Sequence, residues 1–506
     1  MTTVNQAATL SPPRALPNAR TRMILEAPVL PTLLALAAPN LVVMLAQALA
    51  NFLESYYVGL LGVDALAGAA LVFPLVMLMM MMSAGGIGGG ISSAVARSLG
   101  AGDQDKADAL ALHAVVIVLV FGLVCSAIVI GFAVPLYGAL GGQGAALDAA
   151  VAYSNALFCG VVFLWLMNGL SAVLRGAGNM RLPALVMVGG VPLLLVLSPV
   201  LIFGFGPVPA LGITGAGLAL AGYYLIATVI LAATLIRGRG GVRLSLHHSL
   251  RRALFGEILG VGLWSSLNTV LSNLCVVVAT FFVARTSMEA LAGFGLGIRI
   301  EYLQIPIVFG FGTALVAMVG MNLGAGQFQR ARRIAWTGAA VAAIATETVG
   351  VAAALFPHAW LGLFTDDPEA IATGALYLRI VAPAYAFLGV GLALYFASQG
   401  AGRMGWPLLA SVVRLSVLHT GGRLAARQPG RAVRGDGGRP GGAGVVQWFA
   451  LVATGAGRTA NRRDTMKAVI AGYARSPFHF ANKGLLAQVR PDDLASQVVK
   501  ALLART

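Results

Sequence analysis

The sequence predicts an all-α polytopic membrane protein. Two parallel six-helix repeats are expected to surround a central cavity, the second repeat incomplete, with about ten spanning helices and a disordered tail holding a short α/β-like fragment. Three observations lead there. The 506 residues are 58% hydrophobic and only 10% charged, with a mean hydropathy of +0.85, a balance that water-soluble domains do not reach. Ten segments are long and apolar enough to cross a bilayer. Two motifs also recur at one offset: Leu99-Gly100-Ala101-Gly102 returns 224 residues later as Leu323-Gly324-Ala325-Gly326, and Gly176-Ala177-Gly178 returns as Gly400-Ala401-Gly402. Met180 and Pro183 recur as Met404 and Pro407, and Tyr153 and Tyr377 keep the same offset. A constant offset through several motifs means a duplicated unit.

Residues 1–28 hold Arg14, Arg20, Arg22 and four prolines, without the short apolar core of a signal peptide. They are read as a disordered cytosolic tail. The first repeat, 29–236, carries spans near 30–58, 65–84, 110–136, 151–174, 182–205 and 215–236. The connection 237–257 is basic, and its Leu244, Leu246, Leu250 and Leu254 suggest an amphipathic surface helix. The second repeat, 258–413, carries spans near 258–284, 290–320, 334–356 and 376–397. Pro39, Pro192, Pro199 and Pro306 are expected to kink their helices. An even number of spans per copy sends both copies into the membrane in the same sense, giving parallel halves about an axis along the membrane normal.

Charge sets the orientation. Loops after even-numbered spans carry Arg97, Lys106, Arg175, Arg181, Arg237, Arg330 and Arg403 among others. Loops after odd-numbered spans carry Asp64, Asp148, Glu289, Asp366, Asp367 and Glu369, with Arg285 the one exception. The positive-inside rule then puts the N-terminus in the cytoplasm. The net charge of +16 is therefore a topology signal and not a nucleic-acid footprint. Cys125, Cys159 and Cys275 all sit in apolar runs and read as small buried hydrophobes, with no spacing for a disulfide or a metal.

The second copy breaks its pattern after Val413. The offset calls for spans near 406–429 and 439–460, yet the first window holds Arg414, His419, Arg423 and Arg427. An Arg at mid-bilayer costs roughly 2.5–3.5 kcal/mol on insertion scales. Residues 414–465 read as an Arg/Gly-rich tail out of pattern, from a frameshift or as a natural disordered extension. Within the stretch 466–506, the text from Met466 to Phe478 and from Arg490 to Leu502 resembles the N-terminus of a thiolase. Thiolases act through a cysteine further along, and no cysteine follows Cys275, so no enzyme activity is expected from this fragment.

Residues 30–411 resemble the multidrug and toxic compound extrusion (MATE) family of efflux transporters. The resemblance rests on Tyr57-Val58-Gly59-x-x-Gly62, the two Leu-Gly-Ala-Gly loops, the run from Pro199 to Gly204, and the run from Tyr395 to Gly402. It implies two lobes that exchange access by rocking, and efflux of cationic amphipathic compounds driven by inward protons or sodium. The Leu-Gly-Ala-Gly loops are not phosphate loops: each follows a span and lacks the Gly-Lys-Ser/Thr ending. Glycine there is expected to stop the helix with positive φ.

Carboxylates inside a membrane are costly, so each one is a candidate for ion coupling. Gln47, Asn51 and Glu54 share one face of the first span, where they could hold a cation through carboxylate and amide oxygens. The alternative for Glu54 is a solvated acid near the outer interface. The resemblance implies an aspartate at the position of Glu54, and an Asn/Asp pair where this chain has Leu194 and Ser198. Glu301 either attracts a cationic cargo or is compensated by an Arg from another helix. Glu347 is either a second-lobe proton or cation site or a polar staple to a neighbouring helix. Asn268 stands where some relatives carry an acid, and Asn268 and Ser272 could bind an ion or cargo or join helices. Tyr153, Asn168, Tyr385 and Tyr395 could line a cavity for flat cations, or simply pack.

The sequence leads to the expectation of a proton- or sodium-coupled multidrug antiporter, multi-pass in the bacterial inner membrane, monomeric, and without a cofactor other than the transported ion. Its partners are cationic small molecules and the lipid bilayer, not nucleic acid. The alternatives are a lipid or saccharide-lipid flippase of the same superfamily, or a truncated product without function.

Overall fold

The computed structural model describes residues 18–285 and 288–427. The expected tail beyond 427 and the thiolase-like fragment lie outside the described residues. A short helix α1 (Ala19–Glu26) opens the chain, followed by α2 (Val29–Gly59). Next come α3 (Val63–Met81), a π-helical turn (Met82–Ile87) and α4 (Gly88–Gly100), together one span. Then α5 (Gln104–Gly131), α6 (Ala133–Ala139), α7 (Gly144–Cys159), α8 (Val161–Gly176), α9 (Arg181–Phe203) and α10 (Gly212–Ile236) complete the first repeat. The second repeat holds α11 (Arg252–Val283), α12 (Met288–Gly324), α13 (Phe328–Leu355), α14 (Pro357–Leu361), α15 (Pro368–Val381), α16 (Tyr385–Gly400) and α17 (Gly405–Arg427).

Among the described residues, nine helical stretches are long and apolar enough to span, or ten if the α7–α8 pair, bent by 46°, is one span. These ten match the ten expected segments. The helices that hold Pro39, Pro192, Pro199 and Pro306 stay continuous. Leu45, Phe52, Leu185, Val196 and Ile344 are large apolar side chains left exposed, as helices that meet lipid require.

The repeated glycines do what their spacing implied. Gly102 and Gly326 have φ of 78° and 77°, and Gly178 and Gly402 have 75° and 71°. Each sits just past a helix end in the left-handed region that glycine enters without a Cβ penalty. Their neighbours also carry the seam between the lobes. A Cβ on Gly100 would lie 2.0 Å from the Met321 carbonyl oxygen, and one on Gly324 would lie 2.0 Å from the Arg97 carbonyl oxygen. Met321 and Gly324 stand 224 residues after Arg97 and Gly100, so the two contacts are images of each other across the repeat. Gly324→Val is expected to force these backbones apart, at a cost on the order of 1–3 kcal/mol for overpacking. A lowered melting temperature in detergent, with secondary structure retained, checks it.

Three expectations about chain segments are corrected. Residues 19–26 are helical and docked, not a loose tail: the Asn18 side chain caps α1 by accepting from the Arg20 and Thr21 amides. The Asn322 and Arg330 side chains donate to the Ile24 carbonyl. The connection 237–251 forms turns rather than an amphipathic helix, since Gly238 and Gly241 adopt positive φ (68° and 90°) and interrupt any helical run. The second repeat has a fifth helix: α17 runs unbroken past Val413 and packs along α11, with Leu418 buried. Cys159 is exposed while Cys275 is buried, so the buried-hydrophobe reading fails at Cys159.

Candidate functional site

The interlobe contacts gather at the end that carries the Leu-Gly-Ala-Gly loops. Asn40 of α2 donates to the Thr313 hydroxyl (2.7 Å) on α12. The Gln399 amide of α16 donates to the Gly85 carbonyl in the π-helical turn (2.7 Å) and to the Ser265 hydroxyl of α11 (2.9 Å). Gly89 has no Cβ because the Gln399 amide fills that place. Ser93 donates to the Gln399 carbonyl (2.5 Å). Arg97 of α4 bonds the Ser93 hydroxyl and reaches Glu257 of α11 (3.4 Å), which also pairs with Lys106 (2.9 Å). Side chains, not only shape, thus tie the first repeat to the second at this end.

Toward the other end each lobe holds one acid gripped by one tyrosine. In the first lobe the Tyr153 hydroxyl of α7 donates to Glu54 of α2 at 2.5 Å. Beside Glu54 is a cavity of about 10 Å³ bordered by Tyr57, Leu194 and Ser198, close to the space one water needs. The Ser198 hydroxyl is buried and, among the described residues, has no hydrogen-bond partner. Leu194 and Ser198 therefore do face the acid, and the polar pair implied there by the resemblance is reduced to one hydroxyl. The three-residue face expected on α2 does not assemble: Asn51 is exposed, Gln47 half-buried, and neither side chain bonds Glu54. A glutamate placed one helical turn from a shared-face amide needs a ligand to draw both in, whereas Tyr153 reaches Glu54 directly.

In the second lobe the Tyr377 hydroxyl of α15 donates to Glu301 of α12. Gly297, one turn earlier, makes room for the Tyr377 ring. Among the described residues, the buried Tyr385 hydroxyl and Arg414 Nε carry no hydrogen bond, and neither amide atom of the buried Gln304, one turn from Glu301, does either.

The remaining candidates scatter. Glu347 of α13 accepts the Ala386 amide (2.7 Å) at the start of α16. It closes the first turn of that helix, the staple role, and is not joined to Glu301. Glu347→Ala is expected to leave that amide unsatisfied and cost about 1–3 kcal/mol. Glu347→Gln, which keeps an oxygen acceptor, is expected to recover most of the stability in a thermal unfolding measurement. Asn268 accepts from Ser411 of α17 (2.6 Å), an interhelical bond; among the described residues Ser272 has no such partner. Asn168 is buried and donates to Ser83 in the π-helical turn (2.9 Å). Tyr395 lies beside Ser265, Thr269 and Gln399 at the seam. No group of three metal-ligating side chains occurs among the described residues.

Sequence reasoning missed four participants. Tyr377 kept the repeat offset of Tyr153, which was the signal for its role. Arg414 was read as a break in the pattern. Lys106 counts in the sequence as a loop charge and Glu257 carries no signal of its own; nothing in one sequence shows that they meet.

Comparison with known proteins follows the geometry. The MatE family model matches residues 39–200 and 265–422, running past Val413 as α17 does. A relative named FAD transporter from Shewanella oneidensis is 28% identical over 398 residues, covering 78% of this chain and 87% of the relative. The probable multidrug resistance protein YoeA of Bacillus subtilis is 25% identical over 359 residues, covering 70% and 77%. A structure of an outward-facing multidrug resistance MATE family transporter of the MOP superfamily superimposes with TM-score 0.74 at 25% identity, covering 85% of this chain and 94% of that one. A MATE structure in complex with MaD3S gives TM-score 0.76 at 24% identity and covers 86% and 95%.

Proposed function

The chain belongs to the MatE family, and from that membership we propose that it is a cation-coupled multidrug antiporter, driven by protons or sodium, that exports cationic amphipathic compounds by alternating access. The observation that carries this reading is the Tyr153–Glu54 pair inside the membrane region of the first lobe. A carboxylate in that place has a function or a partner, and among the described residues no cation pairs with it. The ion enters at Glu54 and favours one arrangement of the lobes; its release favours the other. Only a ligand with different affinity for the two arrangements can drive such a cycle. The glycine-packed seam and its charged contacts mark the end that must open. By the positive-inside distribution that end faces the cytoplasm of a bacterial inner membrane, with the N-terminus on the same side and the protein working as a monomer.

A second cargo has one specific observation behind it, the relative named FAD transporter. FAD is a flavin dinucleotide and carries negative charge, so the two cargo classes separate in one assay. Full-length protein is reconstituted in vesicles with an imposed proton or sodium gradient, and movement of ethidium and of FAD is followed. Gradient-dependent ethidium movement supports the antiporter of cations. Movement of FAD alone replaces the cargo class, and movement of neither removes the exporter reading.

A further inference from the structure

We propose that a groove between α9 and α10 holds one acyl chain of an anionic phospholipid, whose headgroup is met by Arg181 and Arg237. The groove has a volume of about 410 Å³ and is bordered by Leu182, Gly189 and Leu193 of α9 and by Tyr223, Ile226 and Thr234 of α10. That volume is within the range of about 300–1,000 Å³ typical of ligand sites.

Glycine opens it. A Cβ on Gly189 would meet nothing within 4 Å, whereas one on the adjacent Gly190 would lie 2.1 Å from the Tyr223 ring. One glycine lets the ring close against α9, and the other leaves the space beside it empty. The polar groups on the wall are already engaged. The Tyr223 hydroxyl donates to the Met187 carbonyl (3.4 Å) and the Thr234 hydroxyl to the Ile230 carbonyl (2.8 Å). A hydrocarbon occupant therefore leaves no polar partner unmet.

Length and charge identify the hydrocarbon. The two helices run antiparallel, with Gly215 against Leu201 and Gly190 against Tyr223, so Leu182 stands level with Thr234 and Leu193 with Tyr223. Eleven residues separate Leu182 from Leu193, about 16 Å at a rise of about 1.5 Å per residue. That is the depth of one leaflet of a hydrocarbon core about 30 Å thick. The shallow end lies on the side of the Leu-Gly-Ala-Gly loops. There Arg181 opens α9, next to Leu182, and Arg237 caps α10, one turn past Thr234. Both are exposed, and among the described residues neither forms an ion pair. No Asp or Glu occurs from 149 to 256, so the mouth of the groove is cationic and suits a lipid phosphate. The groove is also separate from the Glu54 cavity. Val191, Leu194 and Ser198 border that cavity, and Val186, Gly189 and Leu193 on the opposite face of α9 border the groove.

The test uses full-length protein in phosphatidylcholine vesicles doped with phosphatidylglycerol that carries a diazirine at the end of one acyl chain. After illumination the labelled peptides are read by mass spectrometry. Label is expected to concentrate on 189–193 and 223–226, and excess unlabelled phosphatidylglycerol is expected to displace it. The same diazirine chain on phosphatidylcholine is expected to label these segments no more than the exposed face of α2 around Leu45 and Phe52. Gly189→Phe, which fills the open space, is expected to remove the concentrated label. Arg181→Gln and Arg237→Gln are each expected to raise the phosphatidylglycerol fraction needed for half-labelling about fivefold. Equal labelling by the two lipids would mean ordinary boundary lipid and overturns the proposal, as does wild-type labelling of Gly189→Phe. Exclusion of both lipids from α9 and α10 would mean that a second copy covers the groove, and overturns it too. If Gly189→Phe does not fold, the two headgroups and the arginine variants still decide.

Discussion

Glu54→Gln is expected to reduce gradient-driven efflux to the level of empty vesicles while the protein still inserts and folds. The amide keeps the size of the side chain and can still accept the Tyr153 hydrogen bond, so packing is conserved. What is lost is the charge, and with it the only means by which this site can prefer one ion-bound state over another. Tyr153→Phe separates the two contributions. It removes a hydrogen bond to a charged group, about 1.5–3 kcal/mol, but leaves the carboxylate; weakened efflux that a steeper gradient restores is the expected result. Vesicle efflux of ethidium, measured alongside thermal stability of each variant, checks both. Wild-type efflux in the Glu54→Gln protein would take Glu54 out of the mechanism.

The second large effect is expected at the seam. Arg97 bonds the Ser93 hydroxyl and pairs with Glu257, and the Gly400 carbonyl also lies at 3.5 Å from its guanidinium. Arg97→Ala removes charge-assisted contacts of roughly 1.5–3 kcal/mol each. Losing one such contact shifts the balance between closed and open seam by on the order of 10- to 100-fold toward open. Spin labels at Gln104 and Phe328, one in each lobe, are expected to show a longer-distance population in Arg97→Ala that wild type lacks. Glu257→Gln is expected to act in the same direction more weakly, since it removes only the Glu257 pairings and leaves Arg97 bonded to the Ser93 hydroxyl and beside the Gly400 carbonyl. An unchanged distance distribution in both variants would mean that glycine packing alone holds this end.

Much of the fold was legible because lipid imposes strong rules. Every backbone polar group must be satisfied within a span, so long apolar segments must be helices, and ten were countable from hydropathy. The duplication was legible from glycine, because only glycine tolerates the left-handed turns at Gly102, Gly178, Gly326 and Gly402 and the backbone contacts at Gly100 and Gly324. Where reasoning along the chain went wrong, local signals were overruled by contacts. The stretch 1–28 looked unstructured from its arginines and prolines, yet the second-lobe side chains of Asn322 and Arg330 hold the Ile24 carbonyl of the helix at 19–26. Arg414 looked incompatible with a span, yet α17 runs on through it, held along α11 by the Ser411–Asn268 hydrogen bond and the buried Leu418.

The sequence by itself determined that this protein is helical, membrane-spanning and doubled, and it named Glu54, Glu301 and Glu347 as the acids to explain. Only the tertiary structure decided what each acid meets: Tyr153 for Glu54, Tyr377 for Glu301, and the Ala386 amide for Glu347. The physical reason is the range of the forces. Hydrophobicity and helix formation act on neighbouring residues and leave a periodic trace in the chain. The fate of a buried charge depends on which groups three-dimensional packing brings within a few ångströms, and those come from helices that no spacing rule connects.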